Sequence, residues 1–161
     1  MALYLLNYNA LTPAQIAQLR GITLPPAQQR YAGTIDSALH TLNTTQSADI
    51  CGLALLVDAT PQAFMLLRRG ALLPYWARTD AAIIQALQVD EAQQRRGLGR
   101  FFLTALAAHV REMWPEVRCL QLSVAGENQA ALSLYRRQGW VDTGPGFRGQ
   151  AGFERQMTFV L

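Results

Sequence analysis

The sequence predicts the α+β (α/β) class, with one mixed, largely antiparallel sheet of about six to seven strands and about four helices. Half of the 161 residues are apolar and only 16% are charged, which is typical of a chain that folds around a core. A helical segment lies between two strand-like segments, 81–89 and 118–124, which allows them to pair in parallel through a crossover. The length is close to that of one compact domain, so residues 1–161 are expected to form a single domain.

The first half of the chain contains a strand, three helical segments and a hairpin. Thr12 is a favoured N-cap residue and Pro13 is favoured at the first helical position, which predicts a helix from there to about Leu19. Either Thr34 or Asp36 is expected to cap the third helical segment. The predicted strands are 2–6, 51–57 and 63–67, and the predicted helices are 13–19, 27–32 and 36–42.

The second half alternates strands with helices. Pro115 ends a long helical segment, Gly139 ends the next one, and a turn is expected at Gly144-Pro145-Gly146. Every second residue of 118–124 is apolar, which is the period of a half-buried strand. The predicted strands are 81–89, 118–124, 140–143 and 153–160, and the predicted helices are 98–114 and 128–138.

The charge pattern argues against a protein that binds nucleic acid. All fourteen basic residues are arginine; residues 1–90 carry five arginines and five acids, and residues 91–161 carry nine arginines and six acids. The excess of three positive charges therefore arises in the second half, and it is too small for an extended basic surface. It suits one small anionic ligand, since the arginine guanidinium matches phosphate geometry.

Neither a metal site nor membrane association is expected. Cys51 and Cys119 lie far apart and outside any C-x-x-C pair, and His40 and His109 are the two histidines. The chain contains no run of 18 apolar residues, and its first ten residues have neither a basic start nor a small-residue cleavage site. The expected location is the cytoplasm.

The most informative segment joins the predicted strand 81–89 to the predicted helix 98–114. From Gln94 to Arg100 it reads QRRGLGR, which places two glycines and three arginines at the helix start. The first-turn N–H groups of a helix have no intrahelical partner, and together with the helix dipole they bind anions such as phosphate. The segment lacks the Lys-Ser/Thr end of a P-loop, and Phe102 stands where a dinucleotide fingerprint needs glycine.

Two motifs resemble those of the GCN5-related N-acetyltransferases (GNAT). Gln94-x-x-Gly97-x-Gly99, after a strand that ends Leu87-Gln88-Val89, resembles the loop with which these enzymes bind the pyrophosphate of acetyl-CoA. Asn128-x-x-Ala131-x-x-Leu134-Tyr135-x-x-x-Gly139-Trp140, after the strand 118–124, resembles a second element of the family. The resemblance covers about residues 80–161 and implies the GNAT fold, in which the parallel central strands splay apart.

The resemblance implies acetyl-CoA as cofactor and assigns its contacts. The backbone N–H groups of the 94–99 loop and of Arg100 are expected to bind the pyrophosphate, and backbone groups of Leu87 and Val89 to hold the pantetheine arm and polarise the acetyl carbonyl. Asn128 is expected to contact the cofactor, to cap its helix, or both. The predicted cofactor-binding residues are Leu87, Val89, Gln94, Arg95, Arg96, Gly97, Leu98, Gly99, Arg100, Asn128 and Tyr135.

Tyr135 is the predicted catalytic residue. The resemblance implies that its hydroxyl hydrogen-bonds the CoA sulfur and acts as general acid, and its spacing from Asn128 places both on one helix face. A phenol with a reference pKa of about 10 stays protonated at neutral pH. No acid stands at Ile83-Ile84-Gln85, where some family members carry a glutamate, so water-mediated deprotonation of the acceptor is expected. The weaker candidates for a base are Asp80, Asp90 and Glu127.

The acceptor is the part that the sequence specifies least. Residues 24–39 resemble the corresponding part of diamine and polyamine acetyltransferases, but polyamine sites need several carboxylates and the first 90 residues contain five acids, Asp36, Asp49 and Asp80 among them. Tyr31, Tyr75 and Trp76 are expected to line the acceptor pocket. The predicted reaction is acetyl transfer to a primary amine of a small molecule or peptide, by direct attack in a ternary complex. A protein N-terminus or lysine as acceptor, a non-catalytic acyl-CoA-binding module and a homodimer are left open.

Overall fold

Eight strands form one open sheet in the computed structural model, which describes residues 2–144, 146–149 and 152–161. The strands are β1 (Leu3–Asn7), β2 (Ile50–Val57), β3 (Thr60–Arg68), β4 (Ala81–Val89), β5 (Cys119–Ala125), β6 (Val141–Asp142), β7 (Phe147–Gly149) and β8 (Gly152–Val160). They lie in the order β1-β2-β3-β4-β5-β8-β6, and β7 pairs with β8. Every pair is antiparallel except β4 with β5. The predicted mixed, largely antiparallel sheet is confirmed, with β7 as a strand that the sequence did not reveal.

Five α-helices lie within the described residues: α1 (Pro13–Leu19), α2 (Pro26–Ala32), α3 (Ile35–Thr44), α4 (Leu98–Met113) and α5 (Gln129–Arg137). The Thr12 side chain accepts a hydrogen bond from the Gln15 N–H while the Gln15 side chain accepts one from the Thr12 N–H, so α1 begins with a capping box. Thr34, rather than Asp36, caps α3. None of the helices found in these residues is long and apolar enough to cross a bilayer.

The helices cover both faces of the sheet. On one face, α4 packs its buried side chains Phe102, Leu106 and Val110 against the strands. On the other face, Leu19 of α1 and Leu39 of α3 pack against β2 and β3. These five side chains are at most 1% exposed, and full burial of each stabilises the fold by roughly 1.5–3 kcal/mol relative to exposure.

The parallel pair at the centre of the sheet is short. β4 and β5 pair only through residues 81–83 and 119–121, and the two strands diverge beyond them. Along the β3–β4 pair, two residue steps on β3 correspond to three on β4, which is a bulge. Ala86 in this bulge has a φ of 57°, in the left-handed region. The divergence confirms the predicted splay and opens a gap between β4 and β5.

The residues weighed for a metal site lie apart. Cys51 is half-buried on β2, Cys119 is buried on β5, and His109 of α4 places its Nε2 3.0 Å from Asn7 Oδ1. Within the described part of the chain, no three histidine, cysteine, aspartate or glutamate side chains are grouped so that they could hold a metal ion. Pro145 of the predicted turn lies outside the described residues.

Candidate functional site

A cleft of about 1320 Å³ passes through the gap between β4 and β5. Successive residues of a strand point to opposite faces, and successive residues of both strands, such as Leu122 and Ser123 of β5, line this cleft. The cleft therefore connects the two faces of the sheet. Arg96 does not line it, and its Nη1 donates to Gln93 Oε1 at 2.8 Å. All other predicted site residues do: Tyr31, Tyr75, Trp76, Leu87, Val89, Gln94, Arg95, Gly97, Leu98, Gly99, Arg100, Asn128 and Tyr135.

The start of α4 places a run of backbone N–H groups beside the cleft. Gly97 is the N-cap of α4 with a φ of 80°, a conformation that side chains disfavour, and nothing lies within 4 Å of the position of a Cβ there. The described residues supply no acceptor for the N–H groups of residues 95–100. Unpaired donors at the positive end of a helix dipole form an anion site, and the guanidinium groups of Arg95 and Arg100 add charge to it.

Beyond its bulge, β4 directs backbone groups into the gap. The Asp90 N–H donates to the Gln62 C=O on the β3 side at 2.9 Å, and backbone groups alternate sides along a strand. The N–H and C=O groups of Leu87 and Val89 therefore point away from β3, toward the space that β5 leaves. Backbone donors and acceptors along this edge suit an extended ligand that itself contains amide groups.

Gln94 shapes the loop with its side chain instead of offering its backbone N–H. That N–H donates to the Glu91 C=O at 3.4 Å, and the Gln94 Nε2 donates to the Val89 C=O at 2.9 Å. The same side chain exchanges two hydrogen bonds with Gln28 of α2. Gln94 therefore connects β4, the loop and α2.

α5 contributes Asn128 and Tyr135 to the cleft. The Asn128 Oδ1 accepts a hydrogen bond from the Ala131 N–H at 3.3 Å, which confirms its predicted N-cap role. Tyr135 is 8% exposed, and its ring centroid lies 5.7 Å from that of Trp140. Burial raises the pKa of Tyr135 to about 12, so the hydroxyl stays protonated well above neutral pH and can donate a hydrogen bond to a ligand.

Four polar side chains lie at the cleft on the face of the sheet opposite α4: Arg68 of β3, Gln85 of β4, Ser123 of β5 and Glu154 of β8. The Arg68 Nε donates to the Gln85 Oε1 at 2.8 Å, on one side of the gap. The Ser123 Oγ donates to the Glu154 Oε1 at 3.2 Å, on the other side. We call this set the polar floor.

Three aromatic side chains bound the same end of the cleft, and we call them the aromatic wall: Tyr75, Trp76 and Phe147. Phe147 of β7 stacks on Trp76 with ring centroids 5.7 Å apart and meets Tyr75 edge-on at 6.5 Å. Tyr31 of α2 also lines the cleft, and its hydroxyl lies 3.4 Å from the Glu127 Oε1. The structure thus brings Tyr75 and Trp76 together through Phe147, which the sequence did not indicate, and Tyr31 lines the same cleft.

The acids named as weaker candidates for a base do not line the cleft, and each has a partner, which for Glu127 is the cleft residue Arg30. Asp80 pairs with Arg78 at 2.9 Å, Asp90 accepts from the Thr23 N–H at 3.0 Å, and Glu127 pairs with Arg30 at 2.8 Å. The acids considered for a polyamine site, Asp36 and Asp49, do not line it either. Glu154 is the one carboxylate among the described residues of the lining, and sequence reasoning missed it.

The residues present fit coenzyme A. The unpaired N–H groups of residues 95–100 and two arginines match its pyrophosphate, and the space at Gly97 leaves the backbone accessible. The backbone groups of Leu87 and Val89 line a gap into which an amide-containing arm can enter. The Tyr135 hydroxyl lines the same cleft and can donate a hydrogen bond to a ligand there.

Comparison with known proteins agrees with this fit. The model of the acetyltransferase (GNAT) family matches residues 23–140, which is more than half of the chain. The chain belongs to this family and is an acetyl-CoA-dependent acetyltransferase. No curated protein matches it in sequence.

Solved structures share its fold. A crystal structure of an aminoglycoside acetyltransferase in complex with coenzyme A has a TM-score of 0.76 at 15% identity, covering 99% of this chain and 95% of that one. Spermidine N-acetyltransferase from Vibrio cholerae, in complex with CoA and spermine, has a TM-score of 0.70 at 17% identity, covering 98% and 95%. The ribosomal-protein-S18-alanine N-acetyltransferase from Escherichia coli has a TM-score of 0.66 at 20% identity, covering 99% and 94%.

Proposed function

We propose that the protein, as a single domain, transfers the acetyl group of acetyl-CoA to a primary amine of a small molecule by direct attack in a ternary complex. One observation carries the proposal: the cleft runs from the unpaired N–H groups of residues 95–100, through the gap between β4 and β5, to the polar floor and the aromatic wall. Two ligands that enter from opposite faces would meet in the gap. The described lining contains no cysteine or histidine that could carry the acetyl group between them.

Acetyl-CoA supplies an acetyl thioester, whose C–S bond breaks as the N–C bond to the amine forms. The backbone N–H groups of Leu87 and Val89 are proposed to orient the thioester. The Tyr135 hydroxyl is proposed to donate a hydrogen bond to the sulfur. A phenol with a pKa of about 12 holds its proton more tightly than a thiol with a reference pKa of about 8.5, so Tyr135 would stabilise the departing sulfur chiefly as a hydrogen-bond donor.

The acceptor must lose a proton before it attacks. An alkyl ammonium with a pKa of about 10.4 is only about one part in 2,500 neutral at pH 7. Gln85 on β4 has no carboxylate to offer, and deprotonation through water in the open cleft is proposed. The rate should then rise with pH toward the pKa of the acceptor amine.

Two measurements, made one after the other, test the proposal. Acetyl-CoA at one hundred times its Kd should raise the free energy of unfolding by about 2.7 kcal/mol, whereas duplex DNA should not change it. Unchanged melting with saturating acetyl-CoA would contradict the cofactor site. Thiol release is then measured with amines, amino acids, aminoglycosides and peptides. Release with free amines supports the proposal, release with peptides alone supports the protein-acceptor alternative, and binding without any release supports a non-catalytic module.

A further inference from the structure

The acceptor end of the cleft combines one carboxylate with an aromatic surface. We propose that the acceptor carries a single positive charge on a flat apolar body, and that Glu154 binds its ammonium group. This inference rests on the proposed transfer to an amine. The acceptor class is therefore an arylalkyl monoamine, and not a polyamine or an aminoglycoside.

The charges of the polar floor support a single ammonium. Glu154 is the one carboxylate among the described lining residues, and Arg68 stands across the gap from it. The Arg68 Nε donates to Gln85, and no described carboxylate pairs with its guanidinium. A second ammonium on the acceptor would therefore find a cation instead of a partner, and like charges repel strongly in a partly desolvated site.

The Glu154 carboxylate is held in place but keeps its charge available. The Ser123 Oγ donates to its Oε1 at 3.2 Å, and no arginine among the described residues forms an ion pair with it. A Cβ at position 149 would coincide with this carboxylate, so it lies directly over the backbone of Gly149. A hydrogen-bonded carboxylate without a cationic partner is suited to receive an ammonium group.

The aromatic wall lies beside this carboxylate. Phe147 is directly opposite Glu154 in the β7–β8 ladder, and side chains so paired are neighbours on one face of a sheet. Trp76 stacks on Phe147 at an interplanar angle of 29°, and Tyr75 is 89% exposed at the rim. An amine held by Glu154 would therefore place its carbon body against Phe147 and Trp76, where a flat ring covers aromatic surface that water now contacts.

Matched acceptors test the class. Thiol release from acetyl-CoA is followed with 2-phenylethylamine, hexylamine, 1,6-diaminohexane and spermidine. We expect kcat/KM to be highest for 2-phenylethylamine, and at least tenfold lower for 1,6-diaminohexane than for hexylamine, which differs from it by one ammonium group. A higher kcat/KM for spermidine or 1,6-diaminohexane than for either monoamine overturns the inference and leaves the proposed transferase intact. Failure of every amine and peptide, with acetyl-CoA still bound, overturns the transferase itself.

Matched variants test the residues. Glu154→Gln keeps the shape and the hydrogen bond to Ser123, and should raise the KM for 2-phenylethylamine at least tenfold with the Kd of acetyl-CoA unchanged. Gly149→Ala displaces the carboxylate without removing it and should raise the same KM. Phe147→Leu should raise the KM for 2-phenylethylamine more than that for hexylamine. Glu112→Gln, an exposed change outside the cleft, is the control. An unchanged KM in Glu154→Gln, or a loss of acetyl-CoA affinity there, overturns the assignment of Glu154.

Discussion

Gln28 and Gln94 exchange two amide hydrogen bonds across 66 positions of sequence. The Nε2 of each side chain donates to the Oε1 of the other, at 3.0 and 2.8 Å. Gln28 belongs to α2, which packs against β4, and Gln94 belongs to the loop that is proposed to hold the cofactor. The pair therefore joins α2 to that loop.

Removal of the Gln94 side chain should weaken acetyl-CoA binding more than removal of the Gln28 side chain. Both substitutions remove the two bonds of the pair, and Gln94→Ala also removes the bond to the Val89 C=O. Each neutral hydrogen bond contributes about 0.5–1.5 kcal/mol. We therefore expect Gln94→Ala to weaken acetyl-CoA binding by about tenfold and Gln28→Ala to weaken it by about twofold to threefold. Titration calorimetry with acetyl-CoA measures both values. Gln15→Ala, which breaks the capping box of α1 outside the cleft, is the control and should lower the melting temperature without a change in Kd. Equal effects of Gln28→Ala and Gln94→Ala would contradict this account.

Two substitutions at Gly97 separate the effect of charge on acetyl-CoA binding from the effect of backbone strain. Its φ of 80° penalises any side chain, but asparagine tolerates this region better than most residues and matches aspartate in size. We expect Gly97→Asn to retain part of the thermal stabilisation by acetyl-CoA and Gly97→Asp to abolish it, because aspartate places a negative charge beside phosphates. Identical acetyl-CoA shifts in the two variants would show that phosphate does not bind here.

Features set by neighbouring residues were predictable from the sequence. The N-cap of α1 depends on the Thr12 side chain and that of α5 on the Asn128 side chain, and each accepts a hydrogen bond from an N–H three positions later. The unpaired N–H groups at the start of α4 follow from a glycine-containing loop that opens a helix. Such features are encoded within one helical turn, so sequence reasoning found them.

Features set by strand pairing were not predictable in the same way. Glu154 faces the cleft because β8 returns between β5 and β6, which places it opposite Ala125. The alternation along 153–160 predicted a strand but did not reveal its neighbour, and a shift of one residue would have turned Glu154 to the other face. The bulge at Ala86 was equally hidden, since alanine gives no sign of a left-handed φ. β7 has three residues, one of them glycine, and is defined by its pairing with β8.

Alkaline pH should destabilise the fold through buried groups, of which Cys51 and Tyr135 have the largest pKa shifts. Burial raises the pKa of Cys51 from 9.0 to about 12 and that of Tyr135 from 10.0 to about 12. Unfolded chains lose these protons first, so the associated stability is present below pH 9 and is lost as the pH rises toward 12. For Tyr135 the loss amounts to at most about 2.7 kcal/mol.

Denaturant unfolding between pH 8 and 11 measures this loss. Arginine does not titrate in this range and the chain contains no lysine, but burial also raises the pKa of Cys119, which contributes to the decline in every variant. Cys51→Ala and Tyr135→Phe should each flatten the decline of the unfolding free energy with pH. Ser133→Ala, which removes no titrating group, is the control and should decline as the wild type does. A wild-type slope in both of the first two variants would contradict the assigned cause.

The role of the Tyr135 hydroxyl can be isolated because phenylalanine keeps the ring that packs on Trp140. If the hydroxyl donates to the departing sulfur, Tyr135→Phe should lower kcat by about 10²-fold or more while the fold and the Kd of acetyl-CoA persist. Tyr8→Phe, on a ring that stacks against Phe64 outside the cleft, is the control and should leave kcat unchanged. The measurement uses the best acceptor from the amine series at saturating concentrations. A large loss of cofactor affinity with kcat intact would instead make the hydroxyl a binding contact. Wild-type kcat with wild-type affinity would show that solvent, and not Tyr135, stabilises the departing sulfur.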